Sequence, residues 1–439
     1  VNTITQTTSP ETRDMLDLIA RLYPICRSIT GDGLRQTLRI IARHIPLQLT
    51  EVPTGSPVFD WTVPNEWNLK RATLTSPDGR IIADTDVHNL HVMNYSVPMS
   101  ATVSLADLKP HLHSLPDKPD WIPYRTSYYA PNWGFCLPHR VLESLPDGDY
   151  RVEIDTTLSP GSLTYAELLI PGQTDDEVLL SAHACHPSLA NDNLSGIAVA
   201  VALAKRLLLR SRRYSYRFIF APGTIGSICW LANNRDRVHC IKHGLVLSCL
   251  GDSGNITYKR SRRAVAAIDR TVAHVLHEAG EAHTINDFVP YGYDERQYCS
   301  PGFNLPVGVL MRTPNGQFPE YHTSADNLDL IQPTSIQHSL DTLGKIVDAL
   351  ETNARFINVL PHCEPQLGRR GLYANTGGNA TPPGYEPALL WVLNYSDGDH
   401  DLLDISRLSK IPLATIATAA RMLTDKSLLK HVETADQRR

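Results

Sequence analysis

The sequence predicts an α/β protein with a three-layer αβα core, a mostly parallel sheet, a small β-rich insertion and a carboxyl-terminal winged helix. Three observations carry that prediction. From Glu177 onward, short apolar runs alternate with longer helical ones, the pattern of a parallel sheet covered on both faces. Between about residue 56 and residue 155 the chain is dense in β-formers broken by Pro and Gly, with no long helical period. Beyond a Gly/Pro-rich stretch near the carboxyl end come three short helical patterns and an extended tail. At 439 residues the chain exceeds one ordinary core. The expected domains are 1–55 with 156–360 as a discontinuous core, 56–155 as the insertion, and 361–439 as linker and winged helix.

Taken in order, about ten opening residues are expected to be disordered. MLDLIARLYPICRSI reads as a helix with Leu18, Leu22 and Ile25 on one face. TGDGLRQTLRIIARHI reads as a second, opened by a Gly-rich turn. IPLQLTEVPTGSPVFDWTVPNEWNL is extended, and RATLTSPDGRIIADT is a hairpin turning at Pro77-Asp78-Gly79. HVMNYSVPMSATVSL and RTSYYAPNWGFCLP add aromatic-rich extended pieces, and YRVEIDTTL and SLTYAELLIPG lead back to the core. There EVLLSA, YRFIFAP, HGLVLSCLG and LPVGVLM are strands. LSGIAVAVALAKRLLLR, Gly226–Asn234, RRAVAAIDRTVAHVLHEAG and SIQHSLDTLGKIVDALE are helices. The basic runs Lys205–Arg217 and Lys259–Arg263 fall near predicted helix ends and turns and read as solvated surface.

Composition excludes several classes. Hydrophobic content of 42%, charged content of 20% and a net charge of −5 describe a soluble globular protein without a chain-wide basic surface. No apolar run approaches the roughly 20 residues of a membrane span, so no membrane partner is expected. The amino terminus lacks the basic and apolar regions of a signal peptide. Eight cysteines without a C-x-x-C pair point to a reduced, cytoplasmic protein. In the winged helix the expected recognition helix, ATIATAARML, carries a single arginine. That argues against nucleic acid and for protein packing, including a homo-oligomer.

The chemistry gathers around HACHPSLANDNLSG (His183–Gly196), a polar loop between a strand and a helix. In an open α/β sheet this is the ligand-binding edge. His183, Cys185, His186 and Asp192 are all metal-ligand types. The structural alternative is a polar turn with Asp192 or Ser195 capping the helix. FPEYHTSADNLDLIQP brings His322 to the same edge, YGYDERQYCSPG brings Asp294 and Glu295, and CLGDSG brings Asp252. Two histidines with carboxylates suit zinc.

His186, Asp192 before Ser195-Gly196, and Tyr321-His322-Thr323-Ser324-Ala325-Asp326 carry a resemblance. The chain resembles the zinc aminopeptidase family with two co-catalytic metals, whose relatives include glutaminyl cyclases. From Met15 to Val432 it is similar to a bacterial subgroup with an inserted β domain and a winged-helix end, often found with polysaccharide or secondary-metabolite pathways. CRSITGDG, VFDWTVPNEW, HVMNYSVP, YCSPG, EYHTSADNL and CEPQLGRRGLY are typical of that subgroup. The resemblance implies a zinc-dependent peptidase-like amidohydrolase acting on an aminoacyl or peptidyl amide, with a small-molecule or peptidyl substrate. It implies one zinc ion held by His186, Asp192 and His322.

The departures bear on activity. Where the subgroup reads Pro-Glu-Thr-Ile-Gly-Ser this chain has Pro222-Gly223-Thr224-Ile225-Gly226-Ser227. Gly223 therefore stands at the general-base position and Thr224 at an adjacent metal-binding glutamate. Ser248 stands near a later metal-binding aspartate, with Asp252 as a candidate substitute. Glu295 and Asp294 become the candidate catalytic carboxylates, against the alternative of an ion pair with Arg296. Two readings stay open: an enzyme that hydrolyses, forms or transfers an amide, and a catalytically impaired protein that binds an aminoacyl or peptidyl group. On the enzyme reading, Gly223→Glu is expected to raise hydrolysis.

Overall fold

A computed structural model describes residues 9–372 and 385–432. Most of the opening stretch expected to be disordered, and residues 373–384 of the Gly/Pro-rich linker, lie outside the described residues. The described chain divides into two compact units, one of residues up to 269 with 282–343, the other of 270–281 with 344 onward.

The first unit is built on an eight-stranded sheet. Its order is Gln48–Pro53, Ser162–Ile170, Ser215–Ala221, Glu177–His183, Ile241–Leu247, Val307–Met311, Ile256–Lys259 and His283–Asn286. The four central strands, Ser215–Ala221 through Val307–Met311, are mutually parallel. Antiparallel neighbours close them on either side, so the sheet is parallel at its centre and mixed at its margins. All seven residues of Glu177–His183 are buried. A strand with parallel neighbours and both faces covered reads as a continuous apolar run, which is why EVLLSA shows no alternation. Its carboxyl end shares an edge with those of its parallel neighbours, and the loops after them build the site.

Helix Gly196–Leu208 follows that loop and is buried nearly all round. Its first residue must be glycine. A Cβ there would stand 2.5 Å from the Leu247 carbonyl oxygen and 2.4 Å from Asn193 Oδ1. Helix Pro10–Leu22 is capped by Ser9, whose hydroxyl accepts from Thr12 N at 3.0 Å. It stops short of Ile25: Tyr23 still keeps helical geometry as the cap, and Pro24, which has no N–H to donate, cannot extend the ladder. Helix Asp32–Ile41 matches the second expected helix.

A second, antiparallel sheet in this unit holds Ile81–Asp84, Glu66–Thr75, Asp149–Ser159 and Met99–Ser104. The expected hairpin is its outer pair. Gly79 takes φ +82° at the turn, and Ser76 N donates to the Arg80 carbonyl at 2.9 Å. Ala72, Leu74, Phe135, Tyr150, Val152 and Ile154 form an apolar cluster on it.

The basic runs are not uniformly solvated. Arg217 is buried inside its strand, with Nε and Nη2 donating to Glu177 at 2.6 and 2.8 Å. Lys259 is buried against Glu295 at 2.6 Å. Both lie within sheet strands, where a buried charge persists only with a partner.

In the second unit Arg355–Asn358 lies between Asp397–Asp401 and Leu429–His431, antiparallel to both. Helices Tyr385–Tyr395, Leu402–Ser409 and Leu413–Asp425 complete the winged helix, Asp401 and Asp404 forming a capping box. Among the described residues no helix is long and apolar enough to cross a membrane.

His243 gives the core an acid sensitivity. It is buried on strand Ile241–Leu247, its Nδ1 has no hydrogen-bond partner, and burial pushes it down to about 3. The unfolded chain takes up that proton near pH ~6.5 while the folded chain does not. Stability from this group is therefore complete above about 6.5 and declines as pH falls towards 3. Between pH 7 and pH 5 the expected loss is about 2 kcal/mol. His243→Gln should show a correspondingly flatter loss in urea titrations at the two pH values; an unchanged loss would clear His243 of this role.

Candidate metal centre

His183 ends the central strand, and Asp192 lies in the turn that enters helix Gly196–Leu208. The Asp192–Asn193 peptide bond is cis. Asn193 ties the turn to the neighbouring strand, donating to the Leu247 carbonyl at 2.8 Å and accepting from Cys249 N at 3.2 Å. Asp326 ties it to the His322 loop, its two oxygens accepting from Asn191 N at 2.6 Å and Asp192 N at 3.0 Å. Burial pushes Asp326 up to about 8. Arg27, itself buried, donates Nε to the His186 carbonyl at 2.9 Å and fixes the next corner. Neither Asp192 nor Ser195 caps the helix through its side chain, so the polar-turn alternative does not account for them.

Three imidazoles converge on the Asp192 carboxylate. His183 Nε2 lies 2.8 Å from Oδ1, while His322 Nε2 and His186 Nδ1 lie 3.0 and 3.7 Å from Oδ2. His183, His186 and Asp192 are buried, and these three can bring their ligand atoms within 4.8 Å of one another. His322 is the exposed member, at 32% of its side chain. Burial alone would raise Asp192, but the imidazoles around it, with hydrogen bonds from His183 and His322, hold it well below the usual carboxylate range. Burial drives His186 well below 6.5, so it is a neutral imidazole with a free lone pair. Its Nδ1 is buried with no hydrogen-bond partner. An ionised carboxylate beside neutral imidazole, with an orphaned ring nitrogen facing it, is a donor set that fits zinc.

The structure brings together the three expected ligands, His186, Asp192 and His322, and adds His183. Tyr293 joins them, its ring stacked on His183 at 4.0 Å and its hydroxyl 3.1 Å from Asp192 Oδ2. Tyr321 stacks on His322 at 3.9 Å, and Tyr124 sets its ring edge-on to both His186 and His322 at 5.2 Å. Ser188, Thr224, Cys249 and His322, all on loops of this edge, have φ between +47° and +64°. Non-glycine residues held there mark positions the surrounding structure enforces, and such strain gathers at functional sites.

Of the expected catalytic carboxylates Glu295 is engaged elsewhere through both oxygens, and Asp294 through one, its buried Oδ2 having no hydrogen-bond partner. Glu295 is paired with Lys259 rather than with Arg296, and its other oxygen accepts from Tyr293 N at 3.0 Å. Asp294 Oδ1 accepts from Thr224 N at 2.7 Å and Ser227 Oγ at 3.0 Å, and burial pushes its carboxyl up. Both hold the loop that presents Tyr293. Asp252 is no substitute ligand, since it is saturated by Asn191 Nδ2, Gly254 N and Thr313. Burial pushes Cys185 up to about 12, so it stays a thiol, and its sulfur accepts from Gly223 N at 3.2 Å. Nothing in the sequence marks Tyr293: a tyrosine ahead of two acidic residues has no spacing that points it into a site.

Comparison with known proteins agrees with this architecture. Residues 16–353 match the family model described as a domain of unknown function (DUF4910), and residues 354–431 match a winged helix-turn-helix. A protein of Clostridium acetobutylicum, provisionally named a polysaccharide biosynthesis protein with an aminopeptidase-like domain, is 48% identical over 98% of this chain and 99% of its own. A crystal structure from the same organism, described provisionally as a peptidase, superposes with a TM-score of 0.91 at 47% identity, covering 97% of this chain and 98% of that one. A zinc aminopeptidase from Bacillus subtilis superposes at 0.57 and 13% identity, over 78% of this chain and 95% of its own, a likeness of fold.

Proposed function

The chain is a member of the DUF4910 family, a family with an aminopeptidase-like fold, and from that premise we propose that it is a zinc-dependent amidohydrolase acting on an aminoacyl or peptidyl amide bond. One observation carries the reading: three imidazoles converge on a single buried, ionised carboxylate, one of them with an orphaned nitrogen. His186, Asp192 and His322 would hold the ion. A bound zinc supplies Lewis-acid polarisation of the amide carbonyl.

The protein's own groups do the rest. His183 orients Asp192 through Oδ1 and leaves Oδ2 for the ion, the outer-shell role that fixes a ligand's geometry. Tyr321, stacked on His322, fixes that ring's plane. Tyr124 sets an aromatic edge against both imidazoles and helps hold their rings in place. The name of the Clostridium relative supports a substrate from polysaccharide biosynthesis. A second reading, a binding protein for an aminoacyl or peptidyl group, is favoured by one feature: Gly223 and Thr224 supply no carboxylate, and Glu295 is bound to Lys259.

The test is zinc content by atomic emission together with hydrolysis of a panel of aminoacyl amides, before and after chelation. About one zinc per chain and chelator-sensitive hydrolysis are expected; zinc without hydrolysis on any amide would favour the binding protein. His322→Ala removes a ligand, and since outer-shell changes alone cost about 10–100-fold in affinity, its loss should reach at least about 100-fold. Unchanged zinc affinity would remove His322 from the site.

A further inference from the structure

The hydroxyl of Tyr293 has more polar neighbours than a phenol can serve. It stands 3.1 Å from Asp192 Oδ2, 3.3 Å from His322 Nε2, 3.4 Å from His186 Nε2 and 3.3 Å from the Tyr321 hydroxyl. One O–H donates one hydrogen bond, and a donation to Asp192 Oδ2 uses it. His322 Nε2, with a single proton at most, already lies 3.0 Å from the same Oδ2. Hydrogen bonding accounts for part of this arrangement and leaves contacts near the outer limit of the range.

The same distances have a simpler meaning. Four donors around a tetrahedral zinc at about 2.0–2.1 Å lie about 3.3–3.4 Å from one another. Tyr293 Oη lies 3.1–3.4 Å from Asp192 Oδ2, His322 Nε2 and His186 Nε2, and His322 Nε2 lies 3.0 Å from Oδ2. His186 stands wider of the carboxylate, its Nδ1 at 3.7 Å, and would turn its ring slightly to close on the ion. We propose that Tyr293 is a fourth zinc ligand, closing a site of two histidines, one aspartate and one tyrosine, with His183 as the outer-shell partner of Asp192; the zinc–oxygen bond would form as the phenolic O–H breaks and its proton leaves to solvent. This rests on the metal-dependent reading and extends it. The resting site is closed by the protein, so an amide carbonyl can approach the ion only where Tyr293 yields its place or the coordination expands.

The surroundings are built to hold that oxygen. The ring of Tyr293 lies flat on His183, at 8° between planes. Its backbone N is fixed by Glu295, which is itself locked by Lys259. Opposite Gly223 the ring occupies ordinary contact distance from a Cβ, 3.4 Å at Cε1. The glycine leaves room for the tyrosine.

The experiment uses the full-length protein. Crystals soaked in zinc and measured on both sides of its absorption edge should place the ion about 2.0–2.2 Å from Tyr293 Oη as well as from Asp192 and the two histidines. In solution, chelator competition should give Tyr293→Phe a zinc affinity at least about 10-fold weaker than wild type. Tyr150→Phe, in the apolar cluster of the antiparallel sheet and away from the site, should stay within about twofold. Phenylalanine keeps the stacking on His183, and equal melting of the metal-free proteins checks that the fold is intact. Zinc on His186, Asp192 and His322 with Oη beyond 3 Å, or an unchanged affinity in Tyr293→Phe, overturns the fourth ligand while leaving the metal reading in place. No zinc at this position at micromolar metal overturns both.

Discussion

Asp192→Ala should abolish zinc binding and weaken the fold even in chelator-treated protein. The carboxylate is fully buried and accepts from His183, His322 and Tyr293, so its loss strips three polar groups of a partner at once. Removing one member of a buried charged network costs about 3–5 kcal/mol, because the groups left behind stay desolvated. His183 suffers most: its side chain is fully buried, and its Nδ1 has only the Asn193 amide at 3.3 Å. Urea unfolding of the metal-free variant should read a loss of about 3 kcal/mol or more, and zinc content should fall to background. Asp192→Asn, which keeps the shape and one acceptor, should lose the zinc but less of the stability. A variant that keeps zinc affinity within tenfold of wild type would remove Asp192 from the centre of the site.

Much of this was legible in the sequence, because one physical signal served both fold and site. The buried strands announced themselves as continuous apolar runs, and the polar loops between them had to gather at one edge of a parallel sheet. That reasoning put the His183–Gly196 loop and the His322 loop at one edge, although 136 residues separate His186 from His322, and the family resemblance picked out His186, Asp192 and His322 within them. What sequence could not supply was direction. Asp294 and Glu295 follow Tyr293 in the chain, yet the backbone turns there so that the phenol enters the site while Glu295 meets Lys259. Lys259 had been read with its basic neighbours as surface, so the partner that neutralises Glu295 was hidden in a run of like charges. His183 and His186 are three residues apart, and spacing alone could not tell ligand from orienting group. In the structure they meet opposite oxygens of Asp192, at 2.8 and 3.7 Å.

Gly223→Glu by itself should fail to raise hydrolysis, contrary to the expectation from the sequence. A Cβ fits at Gly223, with Tyr293 Cε1 at 3.4 Å and Cys185 Sγ at 3.6 Å, so a glutamate side chain starts in contact with the Tyr293 ring and competes with it for space. The glycine and the tyrosine form a pair: one offers no side chain at the position where the resemblance implies a carboxylate, and the ring of the other lies against that position. Forcing both into that space should lower the melting temperature, as overpacking costs about 1–3 kcal/mol. Gly223→Glu combined with Tyr293→Ala removes the conflict, leaves a carboxylate beside the three ligands and opens one coordination position. A positioned general base contributes on the order of 100- to 10,000-fold, so the double variant should hydrolyse a simple aminoacyl amide at least about 100-fold faster than Gly223→Glu. Tyr293→Ala alone, which opens the site without supplying a base, should recover only a small part of that gain. If Gly223→Glu alone matches the double variant, Tyr293 does not occupy the place of the missing base, and the pairing fails.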